Sequence, residues 1–225
     1  MDIDKAYQGT LDYLYSFIDY SLQKTFRYSP EKFDLGRMRA FMAALGDPQF
    51  EYPVIHVAGT KGKGSVSALC ASALQASGYR VGLYSSPHLQ DFVERIQVDG
   101  QPMPHTDLVS LVEEIKPYVA ASPEITTFEI TTALAFLHFA RQEVGAAVVE
   151  VGLGGRLDAT NVCDPLLTVI TSISYDHTSL LGETLAEIAG EKAGIIKPGI
   201  PVVVSPQLAE AGKVLEQIAA ERAAP

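Results

Sequence analysis

The spacing of apolar residues predicts that the first 50 residues of the chain are helical. A first amphipathic helix is predicted over residues 4–20, where apolar side chains recur every three or four positions: Leu11, Leu14, Tyr15, Ile18 and Leu22. A second helix is predicted to follow Pro30 and to stop at Gly46-Asp47-Pro48, because glycine and proline end helices. Its buried side is predicted to carry Phe33, Leu35, Met38, Phe41, Met42 and Leu45.

From residue 53 onward, short apolar runs alternate with segments of helical periodicity. Strands are predicted over residues 53–58, 79–84, 146–151, 167–173 and 201–204. Helices are predicted over residues 65–77, 106–119, 129–144, 185–196 and 208–222. This alternation favours an α/β fold, with a mostly parallel central sheet and helices on both faces. Residues 95–103, with Asp99-Gly100 as a turn signal, predict a small β-hairpin that we expect to be an excursion from the main sheet.

Composition and charge narrow the possible functions. The chain has 225 residues, of which 47% are hydrophobic and 20% charged, as in ordinary globular proteins, and this length favours one large α/β domain over two small ones. A formal net charge of -10 would repel nucleic-acid phosphates and anionic membranes, so neither is an expected partner. An anionic ligand would therefore have to be bound by local groups, such as a glycine-rich loop, a lysine and a metal ion.

The cysteines and the start of the chain indicate a cytoplasmic protein. Cys70 and Cys163 are the two cysteines, and they are too isolated to predict a zinc site or a disulfide framework, which fits a reducing compartment. Residues 1–4 lack the basic and apolar regions of a signal peptide, and no apolar run reaches about 18 residues. We expect a chain that is neither exported nor membrane-spanning.

A glycine-rich loop lies between the first predicted strand and helix of the alternating region. Its residues are Gly59, Thr60, Lys61, Gly62, Lys63, Gly64 and Ser65. Backbone N–H groups and the positive end of a helix converge at such a junction, so the loop is predicted to bind phosphate, with Lys63 reaching the β- and γ-phosphates. It departs from the standard G-x-x-x-x-G-K-[ST] pattern, because Val57 replaces the first glycine and Gly64 replaces the Ser/Thr. A glycine turn without a ligand is the alternative.

Polar residues at other predicted strand ends are expected to meet this loop at one edge of the sheet. Glu150 is the first charged residue after an apolar run, and a carboxylate in this position can hold Mg²⁺. Asp176 and His177 follow the next strand, and Ser86 follows an earlier one. The alternatives are a glutamate facing water, a structural histidine and a serine in a plain turn. By its spacing alone, Lys192 would be a surface lysine.

Five sequence blocks together resemble the bacterial folylpolyglutamate and dihydrofolate synthases of the Mur ligase superfamily. In the order of that family, they are HVAGTKGKGSVSA, YSSPHL, TFEITTALAFLHF, EVGLGGRLDATN and SYDHTSLLGETLAEIAGEKAGIIKPG. The resemblance spans nearly the whole chain and implies a P-loop NTPase-like Mur ligase central domain. It implies an ATP-dependent amide ligase that adds L-glutamate to dihydropteroate or to reduced folate polyglutamates through an acyl phosphate. The GGRLDATN block is closer to the bifunctional bacterial proteins than to those that only extend folates.

The same resemblance implies roles for individual residues. The glycine-rich loop would hold ATP, and the implied Mg²⁺ ligands are Ser86, Glu150 and His177. The implied catalytic group is Lys63, Glu150, His177 and Lys192, with Lys192 in GEKAG matching the carbamylated lysine of the family. The implied pterin-substrate residues are Thr126, Thr127, Phe128, Glu129, Leu157, Asp158 and Ala159.

Members of this family are about twice as long as this chain, as expected of two-domain enzymes. Residues 1–225, including a helical preamble over 1–50, are therefore expected to be the N-terminal ATP-binding domain, without the C-terminal ligase domain of the same polypeptide. The isolated chain is expected to be a monomer that keeps some nucleotide or metal affinity and has little or no turnover. Two alternatives stay open: another Mur-type ligase, against which SPHL and GRLDATN argue, and a nucleotide-binding regulatory module.

Overall fold

Two helices of the predicted preamble open the structure. This computed structural model describes residues 2–17 and 35–225. Helices α1 (Ile3–Tyr15) and α2 (Leu35–Ala44) lie where helices were predicted, but α1 ends before the predicted residue 20, and the side chain of Tyr15 is exposed. Their buried apolar side chains include Tyr7, Leu14, Met38, Phe41 and Met42. The predicted contributions of Ile18, Leu22 and Phe33 lie outside the described residues.

A seven-stranded sheet forms the centre of the molecule, in the order β4-β3-β2-β5-β1-β6-β7. The strands are β1 (Val54–Ala58), β2 (Val81–Tyr84), β3 (Ile96–Val98), β4 (Gln101–Pro102), β5 (Ala146–Glu150), β6 (Leu167–Ile170) and β7 (Val202–Val204). β2, β5, β1, β6 and β7 run parallel to one another, which confirms the mostly parallel sheet. Parallel strands present their carboxyl ends at one edge, and the connecting loops gather there.

The predicted β-hairpin is present, but its expected departure from the main sheet is wrong. β3 pairs antiparallel with β2, and β4 pairs antiparallel with β3, so the hairpin extends the sheet at one side. The register places Tyr84 opposite Ile96, and both side chains are buried in the core. Burial of these apolar side chains against the core favours pairing with β2 over a free-standing hairpin, which is marginally stable in water.

Within the described residues, five further α-helices connect strands and a sixth follows the last strand. They are α3 (Lys63–Ala76), α4 (His105–Ala120), α5 (Thr127–Arg141), α6 (Thr178–Leu181), α7 (Leu185–Ala193) and α8 (Ala209–Glu221). Five of them agree with the predicted helices to within a few residues. α6 was not predicted because its four residues are too short to show a helical period. No helix within the described ranges is both long enough and apolar enough to cross a membrane.

The two faces of the sheet are covered by different helices. On one face, Val57 and Val148 pack with Val66 and Leu74 of α3. Val149 follows Val148 in β5 and joins a larger cluster with side chains from α1, α2, α4 and α5. Successive residues of a strand point to opposite faces, so α3 lies on one side of the sheet and these helices lie on the other. This arrangement confirms the predicted layers.

Candidate active site

The glycine-rich loop, which we call the phosphate loop (residues 59–65), joins β1 to the start of α3. Gly62 precedes the helix with a positive φ of 84° and, as a glycine, supplies no side-chain cap. The first four N–H groups of a helix have no partner within the helix, so this end offers free donors and a positive dipole. Lys61, Gly62, Gly64 and Ser65 are exposed, and Lys63 is half-buried at the first helical position. The loop is therefore open to an anion.

The backbone of the phosphate loop is held against the segment that follows β6. Thr60 donates its N–H to the Ser172 carbonyl at 2.9 Å, and its hydroxyl oxygen accepts from the Ser174 N–H at 3.2 Å. Gly59 approaches Thr171 so closely that a Cβ there would lie 1.8 Å from the Thr171 hydroxyl oxygen. Only glycine fits at position 59, and the loop is positioned before any ligand arrives.

Glu150 lies at the end of β5, beneath the start of α3. It is only 4% exposed, which excludes the alternative of a glutamate facing water. Its Oε2 accepts the N–H of Ser86 at 3.3 Å and lies 3.5 Å from the position of a Cβ on Gly64. Burial raises the pKa of Glu150, and the positive charge of Lys63 opposes that shift. A buried carboxylate beside a phosphate loop is suited to a cation.

Lys192 lies in α7, and the structure buries it to 4% exposure, so it is not a surface lysine. Its Nζ donates to the carbonyl of Gly59 at 2.9 Å. Burial and then the positive charge of Lys63 lower its pKa to about 8, whereas Asp176 and Asp158 act in the opposite direction. These neighbours bring α7, the phosphate loop and the loops after β5 and β6 together.

In the glycine-rich segment after β5, which we call the second glycine loop (residues 152–158), the carboxylate of Asp158 is turned inward. Both carboxylate oxygens of Asp158 are engaged, since Oδ2 accepts from the Leu153 N–H at 2.9 Å and Oδ1 accepts from the N–H and hydroxyl of Thr160. A Cβ on Gly155 would lie 2.8 Å from the Lys192 carbonyl oxygen. Glycine at this position therefore lets α7 approach the loop and places Lys192 beside the phosphate loop.

Residues 126–129, which we call the TFE stretch, make mostly internal contacts, and Phe128 is their one half-buried side chain. Thr126 and Glu129 form a capping box at the start of α5, and Arg37 makes a bidentate ion pair with the Glu129 carboxylate at 2.9 and 3.0 Å. Thr127 donates its hydroxyl to the Leu14 carbonyl at 2.9 Å. Phe128 is half-buried and lies against the second glycine loop, 2.5 Å from the position of a Cβ on Gly152.

The remaining predicted site residues differ in how far their side chains are buried. Ala159 is buried in the core, whereas Leu157 is half-buried. His177 is exposed and has a positive φ of 47° before the short helix α6, with Asp176 3.8 Å from its Nε2. Within the described ranges, no three His, Cys, Asp or Glu side chains gather as a metal cluster. The structure does not bring His177 into contact with Glu150 or Ser86, so their joint role stays a prediction.

Comparison with known families accounts for this arrangement. Residues 57–202 match the Mur ligase middle domain, and this range contains the phosphate loop, Glu150 and Lys192. The chain belongs to the Mur ligase family. The phosphate loop, the carboxylate at the next strand end and the buried lysine of this Mur ligase chain are thus parts of its middle domain.

Relatives within the family bear out the resemblance to folate enzymes. The chain is 50% identical over 197 residues to the dihydrofolate synthase/folylpolyglutamate synthase of Bacillus subtilis strain 168, covering 85% of this chain and 46% of that protein. It is 41% identical over 215 residues to the folylpolyglutamate synthase of Lacticaseibacillus casei, covering 93% and 48%. The chain thus spans about half the length of the curated relatives that it matches.

Solved structures show the same fold. Mycobacterium tuberculosis folylpolyglutamate synthase in complex with ADP superposes with a TM-score of 0.88 at 40% identity, covering 99% of this chain and 50% of that one. An FPGS complex with AMPPCP and folate also has a TM-score of 0.88 at 40% identity, covering 97% and 53%. These likenesses are strong enough to confirm the fold and the similarity to ATP-dependent ligases.

Sequence reasoning missed a buried network in this Mur ligase chain. His56 in β1 is fully buried, and its Nε2 lies 2.8 Å from the Thr160 hydroxyl oxygen, which in turn donates to Asp158. That hydroxyl proton is directed to Asp158, so His56 acts as the donor through Nε2–H. Burial lowers the pKa of His56 to about 3, which keeps the ring neutral. A histidine inside an apolar strand was the available sequence signal.

Proposed function

We propose that this chain is the nucleotide-binding part of an ATP-dependent carboxylate–amine ligase that joins L-glutamate to dihydropteroate or to a reduced folate. The observation that carries the proposal is that the buried Glu150 and the buried Lys192 both lie against an open phosphate loop. Membership of the Mur ligase family and the names of the similar proteins support the substrate class. The complete reaction belongs to a polypeptide of the relatives' length.

The triphosphate of ATP binds at the start of α3 in this proposal. The free N–H groups of the first turn face the phosphate oxygens, and Lys63 contributes a positive charge at the same end. The bonds from Thr60 to Ser172 and Ser174 hold the loop in its shape, so little ordering entropy is lost on binding. The overall charge of -10 leaves these local donors as the attraction for the nucleotide.

Glu150 and Ser86 fit the Mg²⁺ that accompanies ATP. Mg²⁺ binds through one or two carboxylates together with waters and phosphate oxygens, and Glu150 is a buried carboxylate beside the phosphate loop. When bound, the ion neutralises charge on the transferring phosphate. We retain His177 as a further ligand, supplied from the loop after β6. Its exposed position requires that it turn toward Glu150.

The reaction proceeds in two displacements. A substrate carboxylate oxygen attacks the γ-phosphorus, the bond to the bridging oxygen breaks, and ADP leaves, while Lys63 offsets the charge of the transferring group. The amino nitrogen of L-glutamate then attacks the carbonyl carbon of the acyl phosphate, inorganic phosphate leaves, and the nitrogen loses a proton. Water must be excluded until the amine arrives, because the acyl phosphate would otherwise hydrolyse.

Lys192 is proposed to carry a carbamate. Its lowered pKa of about 8 leaves part of the amine neutral near pH 7, and a neutral amine adds to CO₂ with loss of a proton. The product replaces a cation with an anion beside Gly59 and Lys63, which favours a metal ion beside the phosphate loop. Isotopically labelled bicarbonate should produce a carbamate carbon resonance that is absent from a Lys192→Arg variant.

The pterin substrate is proposed to contact the wall made by the TFE stretch and the second glycine loop. Phe128 is the ring available for stacking, at the junction of these two segments. Thr126, Thr127 and Glu129 shape this wall through their internal hydrogen bonds, while the backbone of residues 157–159 closes it. The likeness of GGRLDATN to the bifunctional proteins favours dihydropteroate as well as folates.

Calorimetric titration tests the proposed substrate class. With Mg²⁺ and AMPPCP present, dihydropteroate or a reduced folate should bind to the chain, and a UDP-muramyl peptide should not. Binding of the UDP-muramyl compound without pterin binding would assign the chain to a peptidoglycan ligase. If the chain bound the nucleotide but neither the pterin compound nor the UDP-muramyl peptide, the result would favour a regulatory module. For the isolated chain we expect glutamate-dependent ADP release to be weak or absent.

A further inference from the structure

The segment that follows β6 continues the hydrogen bonding of the sheet past the end of the strand. The peptide group between Ile170 and Thr171 is held from both sides, because its carbonyl accepts from the Ser205 N–H at 3.0 Å and its N–H donates to the Ala58 carbonyl at 2.8 Å. On one side the partner belongs to the chain after β7, and on the other side it belongs to β1. β7 itself ends at Val204, so the next buried peptide groups need another partner on that side.

The side chain of Gln207 supplies this partner. Its Oε1 accepts the N–H of Ile173 at 2.9 Å, and its Nε2 donates to the carbonyl of Thr171 at 2.9 Å and to the hydroxyl oxygen of Ser205 at 3.2 Å. A primary amide carries both donors and an acceptor, as a backbone peptide does, so it can replace a strand residue in such a ladder. Thr171 and Ile173 are buried, so both of these bonds to Gln207 satisfy backbone groups of buried residues.

One peptide group connects Gln207 to the phosphate loop. The Ile173 N–H and the Ser172 carbonyl belong to the same planar peptide and point in opposite directions. Gln207 accepts from the N–H, and on the other side the carbonyl accepts the backbone N–H of Thr60 at 2.9 Å. The bond to Gln207 fixes the tilt of this plane and polarises its carbonyl, which strengthens the bond to Thr60.

Thr60 is the residue through which this peptide acts on the phosphate loop. Its N–H depends on the Ser172 carbonyl, and its hydroxyl oxygen accepts from the Ser174 N–H at 3.2 Å. The position of residues 172–174 therefore sets the position of Thr60 through both its backbone and its side chain.

We propose that Gln207 is a positioning residue for nucleotide binding, which holds the peptide between Ser172 and Ile173 so that Thr60 and the phosphate loop are ordered before a triphosphate arrives. The proposal rests on the nucleotide site described under the proposed function. Gln207 bonds to the side of this peptide that faces away from Thr60, so it acts through the peptide and not by contact with the ligand. Without its amide, the peptide can tilt, and the loop must be ordered again at the expense of affinity.

Gln207→Met tests this role, because methionine has nearly the shape of glutamine and lacks both amide groups. Binding of Mg²⁺-AMPPCP, measured by calorimetry, should weaken by about 10-fold, as expected of a residue that orients a binding group from behind. In the absence of nucleotide, exchange of the Thr60 N–H should become about 10-fold faster.

Gln217→Met is the matched control. Gln217 is exposed, and its amide donates to Glu221 within α8. Affinity for Mg²⁺-AMPPCP and exchange at Thr60 should both stay within about twofold of the native values in this variant. Equal losses in the two variants would mean that the effect is not specific to Gln207, and would overturn the proposal.

A measurement on the native chain decides the question if Gln207→Met fails to fold. Coupling is reciprocal: if the bond between Gln207 and Ile173 favours the nucleotide, the nucleotide favours that bond by the same factor. Saturating Mg²⁺-AMPPCP should therefore slow exchange of the Ile173 N–H by about 10-fold. Exchange of the Thr168 N–H, which donates to Pro201 near the start of β6, should change by less than about twofold.

The role of Gln207 and the nucleotide site fail in different ways. A folded Gln207→Met variant that binds Mg²⁺-AMPPCP as tightly as the native chain would leave the site intact and overturn the role of Gln207. Exchange at Ile173 that does not respond to bound nucleotide would do the same. If the native chain does not bind Mg²⁺-AMPPCP, the nucleotide site itself is wrong, and the role of Gln207 fails with it.

Discussion

The phosphate loop and the second glycine loop both follow parallel strands, yet they direct their polar groups in opposite ways. In the phosphate loop, Gly62 precedes a helix without supplying a side-chain cap, and Lys61, Gly64 and Ser65 are exposed, so the donors are open to solvent. In the second glycine loop, Asp158 accepts hydrogen bonds from its own segment, and Gly155 packs against the backbone of Lys192. A glycine-rich sequence can therefore serve either to expose donors to a ligand or to allow close internal packing.

Because of this difference, substitutions in one loop should change the affinity for nucleotide, and substitutions in the other should change the free energy of unfolding. Side-chain substitutions at Lys61 and Lys63 of the phosphate loop remove groups that would meet a ligand, so they should weaken nucleotide binding and leave folding intact. Substitutions in the second glycine loop remove contacts of the folded chain, so they should lower the free energy of unfolding before any ligand is considered. The following predictions test that separation in descending order of expected effect.

Asp158→Ala should lower the free energy of unfolding by about 3–4 kcal/mol, because the Leu153 and Thr160 donors would remain buried without an acceptor. Urea denaturation followed by circular dichroism measures this change. Asp164 is exposed, and Asp164→Ala should change the free energy of unfolding by less than about 0.5 kcal/mol. Equal effects of the two substitutions would contradict the inward role of Asp158.

Lys63→Met should weaken binding of Mg²⁺-AMPPCP by about 50-fold, or about 2.3 kcal/mol, because the lysine at the helix start would pair with phosphate. The free energy of unfolding should change by less than about 0.5 kcal/mol. Calorimetry and urea denaturation give the two quantities. Lys61→Met is the matched control in the same loop and should cost only a few-fold in affinity, since Lys61 is exposed. A similar loss for both variants would indicate general charge attraction.

His56 should make the folded chain sensitive to acid. Its pKa is about 3 in the folded chain and 6.5 ordinarily, so the unfolded chain takes up a proton below pH 6.5 that the folded chain does not. Stability therefore falls as pH drops from 6.5 toward 3, by about 2 kcal/mol at pH 5. His56→Gln lacks this group, and the difference in unfolding free energy between it and the native chain should change by that amount between pH 7.5 and 5. Parallel pH profiles would contradict this prediction.

Gly64→Ala should have the smallest effect, with a change in unfolding free energy below about 1 kcal/mol. Its Cβ would lie 3.5 Å from the nearest oxygen of Glu150, which is an ordinary contact. Gly155→Ala is the counterpart in the second glycine loop and should cost about 2 kcal/mol or more, because its Cβ would lie 2.8 Å from a backbone oxygen. Thermal or urea denaturation distinguishes the two, and a reversed order would refute the comparison.

Local sequence patterns predicted most of the fold. Strands such as Val54–Ala58 are apolar runs bounded by turn residues, and helices such as His105–Ala120 carry a regular apolar period. The hairpin was recognised from Asp99-Gly100, but its pairing partner was not, because pairing depends on burial against a distant strand. The phosphate loop was predicted because its donors come from one continuous segment.

Side-chain environments were harder to predict. Lys192 has an ordinary helical spacing, and its burial arises from contact with Gly59, which is 133 positions away. The role of Glu129 as a substrate residue stays a prediction. Its carboxylate is nevertheless engaged by Arg37, from a helix that packs beside it only in the folded chain. Such contacts leave no periodic signal in the sequence.

The sequence by itself determined the alternating α/β order, the phosphate loop and the set of polar residues at the strand ends, since each depends on neighbours within a few positions. The tertiary structure decided which of these residues are buried, which are exposed and which already have partners. Folding raised the pKa of Glu150 and lowered that of Lys192 because it removed water from both groups, and nearby Lys63 opposes the first shift and adds to the second. The start of α3 is exposed, whereas the second glycine loop is packed against α7.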